Sequence, residues 1–301
     1  MRVADPVAWA DAAAPADAAR VVFIGAGPGQ ADLITVRGAR RLAQAEVVLF
    51  DALTDPALRE LAPNARWVDV GKRGFGHATG QVAINALLLQ AAQAHRHVVR
   101  LKGGDPSVFG RLEEELDTLR AHGIPCEVVP GVTAALAAAA QTQRPLTRRG
   151  SGRSVSLTTA MTHLGQLQAT RTADTEVFYM AGRQLADLSH KLQEAGWPAD
   201  TPVCVVSRAG WPDALTSEHP VATLADAAAL HANRPAVVTV GAGACALRER
   251  APGGGDSPPP LPGFQARQPS PATHECAGAR SARPRPPEGE EPSRQRPSVD
   301  P

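Results

Sequence analysis

The sequence predicts an α/β protein of two α/β domains, the N-terminal one on a mainly parallel sheet and the C-terminal one on a mixed sheet. Three observations carry this expectation. Short β-branched apolar runs alternate with helical patterns from Val21 to Val129, the signature of a parallel sheet with helices on both faces. The alternation breaks at 143–150 (QRPLTRRG), and a second α/β run resumes from 155 to 240. Beyond about 248 the composition changes: residues 251–301 hold 13 of the chain's 27 prolines and almost no large apolar side chains. Such a segment cannot bury enough surface to offset its ordering entropy. The expected division is therefore a flexible extension at 1–19, α/β domains at 20–143 and 144–247, and a Pro-rich disordered tail at 248–301.

Taken in order, Val21-Val22-Phe23-Ile24 reads as a buried strand running into Gly25-Ala26-Gly27-Pro28-Gly29-Gln30. A helix is expected over 36–44, and a second strand at 47–50 ends on Asp51. The spacing of the glycine turn and Asp51 invites a dinucleotide reading. Two details oppose it: Gln30 stands where the third glycine of G-x-G-x-x-G belongs, and Pro28 lacks an N–H for a pyrophosphate. A helical segment at 56–61 and a strand at 66–70 follow, then a flexible basic loop from Gly71 to His77 that also reads as a plain surface turn. Residues 82–94 form an amphipathic helix with Ile84, Leu87, Leu88 and Ala91 at helical spacing. The strand at 98–101 then ends in Gly103-Gly104-Asp105-Pro106. The glycines permit positive φ or close approach of a ligand, and a bare turn at the carboxyl end of a strand is where open α/β sheets bind ligands. An ordinary strand–helix connection would look the same. A helix from Arg111 to about 123, a strand at 126–129 and an all-small helix at 134–140, suited to close packing, complete the first run. The second has strands at 155–159, 177–180, 203–206 and 236–240, helices at 185–195 and 222–230, and a closing turn at Gly241-Ala242-Gly243.

Composition excludes several function classes. Net charge is +1, so no general polyanion-binding character follows and any anionic substrate must be met by local Arg clusters. Aromatics at 4% are too few for a base-stacking platform, so no nucleic-acid partner is expected. Cys126, Cys204, Cys245 and Cys276 are widely spaced without a C-x-x-C pair, as for reduced thiols in a cytoplasmic protein rather than metal ligands. No apolar run reaches the roughly 18 residues of a membrane span, and the N-terminus lacks a secretory pattern.

The blocks VVFIGAGPGQADLITVRGARRL (21–42), VVLFDALT (47–54), VVRLKGGDPSVFGR (98–111), EVVPGVTAALAA (127–138) and RPLTRRG (144–150) stand in this order. With VFYMAGRQL (177–185) and PAVVTVGAGA (235–244), they make the chain resemble the tetrapyrrole (corrin/porphyrin) methylases, above all those acting on uroporphyrinogen III. The resemblance covers roughly 21–245. It implies a homodimer binding S-adenosylmethionine in a cleft between the two domains, with no metal. The implied reaction methylates uroporphyrinogen III at C2 and C7, giving precorrin-2 through precorrin-1 for siroheme, cobalamin or heme d1. It implies cofactor contacts at Pro28, Gly103, Gly104, Asp105, Thr133, Ala134, Met180, Ala209 and Ala242. It also leaves the methylase step alone expected, without the oxidation and iron-insertion domain of siroheme synthases.

Methyl transfer from a sulfonium asks the protein chiefly to align donor and acceptor. A polycarboxylate substrate calls for guanidinium forks, and Arg37, Lys72, Arg73, Arg111, Arg148 and Arg149 are the candidates, Arg111 foremost. A base that removes the pyrrole N–H proton raises electron density at the attacked carbon. Asp51 is the first candidate by position and Glu114 the second; Arg111, too strongly protonated for that, is assigned orientation and charge neutralisation. The chain departs from the usual family pattern at Ala52, Ser107, Leu112-Glu113, Val82-Ala83 and Ser207-Arg208-Ala209-Gly210. The remaining alternatives are a methylase of another tetrapyrrole intermediate, a non-catalytic ligand-binding member and, more distantly, a nicotinamide-dependent oxidoreductase.

Overall fold

Two five-stranded sheets organise the chain. The structure, a computed structural model, describes residues 20–71, 80–162 and 165–247. The 1–19 extension, Lys72 and Arg73, and the 248–301 tail lie outside the described residues. The first sheet is wholly parallel: β1 (Val21–Gly25), β2 (Val47–Phe50), β3 (Arg66–Asp69), β4 (Val98–Lys102) and β5 (Cys126–Val129), in the order β3-β2-β4-β1-β5. Because successive side chains alternate across a strand, Val22 and Ile24 join Val48, Val99 and Leu101 on one face. That face is covered by helix α1 (Val36–Leu42), through Leu42, and by the 3₁₀ turn Pro56–Leu61, through Leu58. Val21 and Phe23 join Val47, Leu49 and Val98 on the other, under α2 (Gln81–Ala94) and α3 (Leu112–Ala121). The connection from β1 crosses the sheet one way and the connection from β4 the other. The crevice at the carboxyl ends of these two neighbours is the topological switch point where such sheets bind ligands.

The chain then enters α4 (Ala134–Gln141) and the second sheet: β6 (Val155–Thr159), β7 (Thr175–Tyr179), β8 (Pro202–Ser207), β9 (Leu215–Pro220) and β10 (Ala236–Gly241), in the order β6-β7-β10-β8-β9. Strands β6 and β7 are parallel and the other pairs antiparallel, the mixed sheet expected. Helix α5 (Leu185–Glu194) covers one face, Leu188 and Leu192 packing on Phe178, Val205 and Val238. On the other face Ala135, Ala137 and Ala138 of α4 lie against Val177, Cys204, Val206 and Val237. The all-small composition of α4 thus serves close packing on this sheet.

Three local expectations change. Strand β9 (Leu-Thr-Ser-Glu-His-Pro) was not predicted: it is a half-exposed edge with one large apolar residue, ending at Pro220, which an edge tolerates. The helix expected over 222–230 is a 3₁₀ stretch, Val221–Ala227, kinked at Thr223. Arg111 does not open α3 but precedes it in the left-handed region at φ 52°. Among the described residues no helix is long and apolar enough to cross a membrane, and no three or more His, Cys, Asp or Glu side chains gather as a metal site.

Candidate functional site

Three turns leave the carboxyl ends of β1, β4 and β5 and meet backbone to backbone. Gly104 donates its N–H to the Gly27 carbonyl at 2.7 Å, and Gly27 returns the bond at 3.2 Å. A Cβ on Gly25 would lie 2.5 Å from Gly131 Cα and 2.7 Å from Gly104 O, and one on Gly131 would overlap Gly104 O outright. Only glycine fits at these two positions. Gly104 is different: at φ 71° it needs glycine for its conformation, while its side-chain direction is open, with Thr133 Cα the nearest atom at 3.9 Å. The Asp105 carboxylate clamps this floor, accepting from Gly131 N and Ser107 N at 2.8 Å each. It therefore acts on the shape of the floor through backbone.

The second sheet supplies the facing wall. Tyr179, the chain's single tyrosine, ends β7. Its phenol lies 2.7 Å from Thr133 Oγ1 and accepts from Ala135 N at 3.2 Å. Thr133 is the N-cap of α4 but makes no side-chain cap bond, so Tyr179 caps the helix from across the cleft. The Phe109 ring, from the turn after β4, packs on Tyr179 with centroids 5.0 Å apart. Met180 follows at φ 60°, half exposed, and borders a cavity of about 660 Å³ lined also by Met161, Arg183, Asn233 and Arg234. On the other side Gln30 N donates to Gly210 O at 2.8 Å, and a Cβ on Gly29 would overlap the Gly210 backbone. Pro28 and the Ala209-Gly210 turn are thereby locked together. Six non-glycine residues among those described have positive φ, and four of them, Phe109, Arg111, Met180 and Arg208, lie in these loops. Strain of this kind concentrates at functional sites.

Asp51 extends from the end of β2 beside this floor, its side chain about a third exposed. Behind it lies a buried charge cluster that was not singled out from the sequence. Arg100 Nη2 binds Asp51 Oδ1 at 2.7 Å and Arg100 Nε binds Glu115 Oε1 at 2.9 Å; Lys102 Nζ binds Glu115 Oε2 at 2.7 Å. Burial works against the Arg100 charge, but Asp51 and Glu115 outweigh it and hold the guanidinium above its usual value. Lys102 is pushed down, by burial first and then by Arg100. The available signal was the pattern itself: Arg and Lys two residues apart in an apolar strand share a face, and buried charges require partners.

Nearer the rim, Arg111 and Glu114 form a bidentate pair, Nε–Oε1 2.7 Å and Nη2–Oε2 2.6 Å, with both side chains about half exposed. The Arg111 bond holds the Glu114 carboxyl below its usual range; Glu114 and Asp51, each paired with an arginine, stand on the same footing as candidate bases. Arg37 is exposed on the first turn of α1, next to its cap Thr35, whose hydroxyl reaches Pro130 O at 3.5 Å.

Pro28, Gly103, Gly104, Asp105, Thr133, Ala134, Met180 and Ala209 thus come together; three other expected residues do not. Because β10 runs antiparallel to β7, Val237 faces Tyr179 and Gly241 faces Thr175. Ala242 therefore emerges at the opposite edge of the second sheet from Met180. Arg148 is at that far edge too, its guanidinium on the Cys245 and Ala246 carbonyls, and Arg149 is exposed in the adjoining turn closed by Arg148 N to Gly152 O. Ala242 and Arg148 border a separate cavity of about 710 Å³ with Arg171, Asp174 and Trp197. The departures from the family pattern acquire local roles. Leu112 packs into the core under α2 and α3, Glu113 is exposed, and Ser107 lends its N–H to Asp105. The Ser207 hydroxyl sits between His231 Nδ1 at 2.9 Å and Arg234 Nε at 3.1 Å.

The family model of the tetrapyrrole (corrin/porphyrin) methylases matches residues 20–225. Siroheme synthase of Psychrobacter arcticus is 44% identical over 199 residues, 64% of this chain and 36% of that protein. Uroporphyrinogen-III C-methyltransferase of Pseudomonas aeruginosa is 43% identical over 194 residues, 63% of this chain and 79% of that protein. The matched region spans less than half the length of the siroheme synthases. Among solved structures, uroporphyrin-III C-methyltransferase of Thermus thermophilus complexed with S-adenosyl homocysteine shares 36% identity at a TM-score of 0.65, covering 74% of this chain and 97% of that one. A cobalt precorrin-4 methyltransferase shares 31% at 0.64, covering 73% and 94%.

Proposed function

The chain belongs to the tetrapyrrole (corrin/porphyrin) methylases, and from that premise we propose that it is an S-adenosylmethionine-dependent C-methyltransferase of uroporphyrinogen III. In this reading it methylates C2 and then C7, yielding precorrin-2 through precorrin-1, and works as a cytoplasmic homodimer whose 20–143 and 144–247 domains enclose the cofactor. The observation that carries the reading is the glycine-built floor at the switch point, faced by Tyr179-Met180 and Ala209-Gly210 of the second sheet.

The residues present fit the cofactor. Gly104 leaves its side-chain direction open, as close approach of a ligand requires, and Met180 and Phe109 offer exposed apolar surface. Gly103, Gly104, Thr133 and Ala134 would hold the methionine and ribose portions, with Pro28, Met180 and Ala209 around them and Asp105 fixing the turns. When bound, S-adenosylmethionine supplies an electrophilic methyl group on a sulfonium. Asp51 takes the pyrrole N–H proton and so enriches the carbon to be methylated. Arg111 orients the tetrapyrrole: its fork exchanges the Glu114 carboxylate for a substrate carboxylate, an exchange of like for like. The pair given up is solvent-exposed and so costs little to break. Arg37 and, from the sequence alone, Lys72 and Arg73 are assigned to further substrate carboxylates.

The test is anaerobic incubation of uroporphyrinogen III with methyl-labelled S-adenosylmethionine, in which label is expected in a doubly methylated tetrapyrrole. Absence of label would end the enzyme reading, and label appearing only with a later corrin intermediate would reassign the substrate.

A further inference from the structure

Four of the five N–H groups of the Arg100 guanidinium are engaged within the protein. Its Nε binds Glu115, its Nη1 reaches the Leu49 and Leu101 carbonyls at 3.4 and 3.1 Å, and its Nη2 binds Asp51. Glu115 is as fully engaged: one oxygen takes Arg100 and Gln81 Nε2, the other takes Lys102. The side chains of Arg100, Lys102 and Glu115 are 3, 4 and 0% exposed, against 31% for Asp51. The cluster holds two cations and two carboxylates, and only Asp51 reaches toward solvent.

Stability alone is a weak reason for such a group. Desolvating three charges costs several kcal/mol per ion, and apolar side chains of similar volume commonly do as well. What the cluster does achieve is orientation. The guanidinium is planar and pinned on its inner edge by two backbone carbonyls and Glu115, so its outer nitrogen presents a fixed point to Asp51. Lys102 balances Glu115, so the plane of the guanidinium is not drawn further inward.

We propose that Arg100 and Glu115 are positioning residues for the reaction, Glu115 locking Arg100 and Arg100 holding the Asp51 carboxylate at the angle from which it receives the substrate proton. The proposal rests on Asp51 being the proton acceptor, and its test separates the two. Steady-state kinetics with uroporphyrinogen III, the pH profile of kcat, and S-adenosylhomocysteine affinity are measured for Asp51→Asn, Glu115→Gln and Arg100→Lys. Glu115→Gln preserves shape but leaves the cluster one positive charge in excess beside Asp51. Its expected result is unchanged S-adenosylhomocysteine affinity and tetrapyrrole KM, and a kcat reduced by about 100-fold, the loss typical of a misplaced catalytic group. The acid limb of the profile is expected to move as well, which a purely structural role would not do. Arg100→Lys keeps the charge but not the planar fork, and is expected to lose kcat as severely; it decides the matter if Glu115→Gln does not fold. Wild-type kcat and acid limb in these variants beside an inactive Asp51→Asn would overturn the positioning roles. Wild-type kcat in Asp51→Asn would overturn the proton-acceptor reading and the inference with it.

Discussion

Replacing Tyr179 with Phe removes one oxygen and keeps the ring, so the contact with Phe109 at 5.0 Å survives and only the hydroxyl's bonds are tested. Two are lost: Thr133 Oγ1 at 2.7 Å and the Ala135 N–H at 3.2 Å. Ala135 is 1% exposed, so its N–H cannot turn to water, and an unsatisfied buried donor costs about 1–3 kcal/mol. The Thr133 hydroxyl, released, can rotate to cap α4 itself, which recovers roughly 1 kcal/mol. The net loss is about 0–2 kcal/mol, and its midpoint of about 1 kcal/mol lowers Tm by roughly 2–4 °C for a domain of this size. Because Thr133 and Ala134 form the first turn of α4 at the cleft, S-adenosylhomocysteine affinity is expected to fall about fivefold for each kcal/mol spent in holding that turn. Calorimetric unfolding and isothermal titration of the two proteins read both quantities. A Tm within about 1 °C of wild type, together with an unchanged Kd, would refute the claim that the second sheet caps α4.

The floor glycines separate by cause: Gly131→Ala must push apart the Gly25 and Gly104 backbones and is expected to abolish folding or binding. Gly104→Ala has room but the wrong φ, costing about 1–2 kcal/mol; equal thermal shifts in the two variants would contradict the distinction. Arg111→Gly relieves a left-handed residue while giving up an exposed pair that contributes little. Its Tm is expected to hold or rise as turnover of the tetrapyrrole falls, and a large drop in Tm would show the pair to be structural. Burial, with His219 and Arg234 adding to it, pushes the His231 pKa down. The unfolded chain then binds the proton more readily, so stability is full above the unfolded value of about 6.5 and declines as pH falls through it. Melting curves from about pH 8 to pH 5 should show this decline flattened in His231→Gln; parallel curves would remove His231 as its source.

Much of the fold was legible because it rests on one-dimensional signals. The β-branched runs of β1, β2, β4 and β5 and the glycines between them fix strands and turns locally, and the switch-point crevice follows from parallel order. What escaped depends on information that does not run along the chain. Strand β9 owes its existence to pairing with β8 rather than to its own residues. Ala242 was expected in one pocket with Met180 from the resemblance, but the strand before one ascends and the strand before the other descends. Tyr179, the last residue of β7, gains its role from a helix 44 residues earlier in sequence. The left-handed turns at Phe109, Arg111 and Met180 have no marker, since the residues there are not glycine. Arg100 and Lys102 were in plain view, and the rule that buried charges need partners would have led to Glu115.

The Ala face of α4 has a consequence for where the chain can be divided. The sequence pattern breaks at 143–150, after α4, yet the helix lies against Val177, Cys204, Val206 and Val237 of the sheet that follows. A fragment ending at Gln143 would carry away that cover with its small side chains bare, and the complementary fragment would present an open apolar sheet to water. The two pieces are therefore expected to be insoluble apart and to recover a folded, ligand-binding protein only when expressed together, the helix of one docking on the strands of the other.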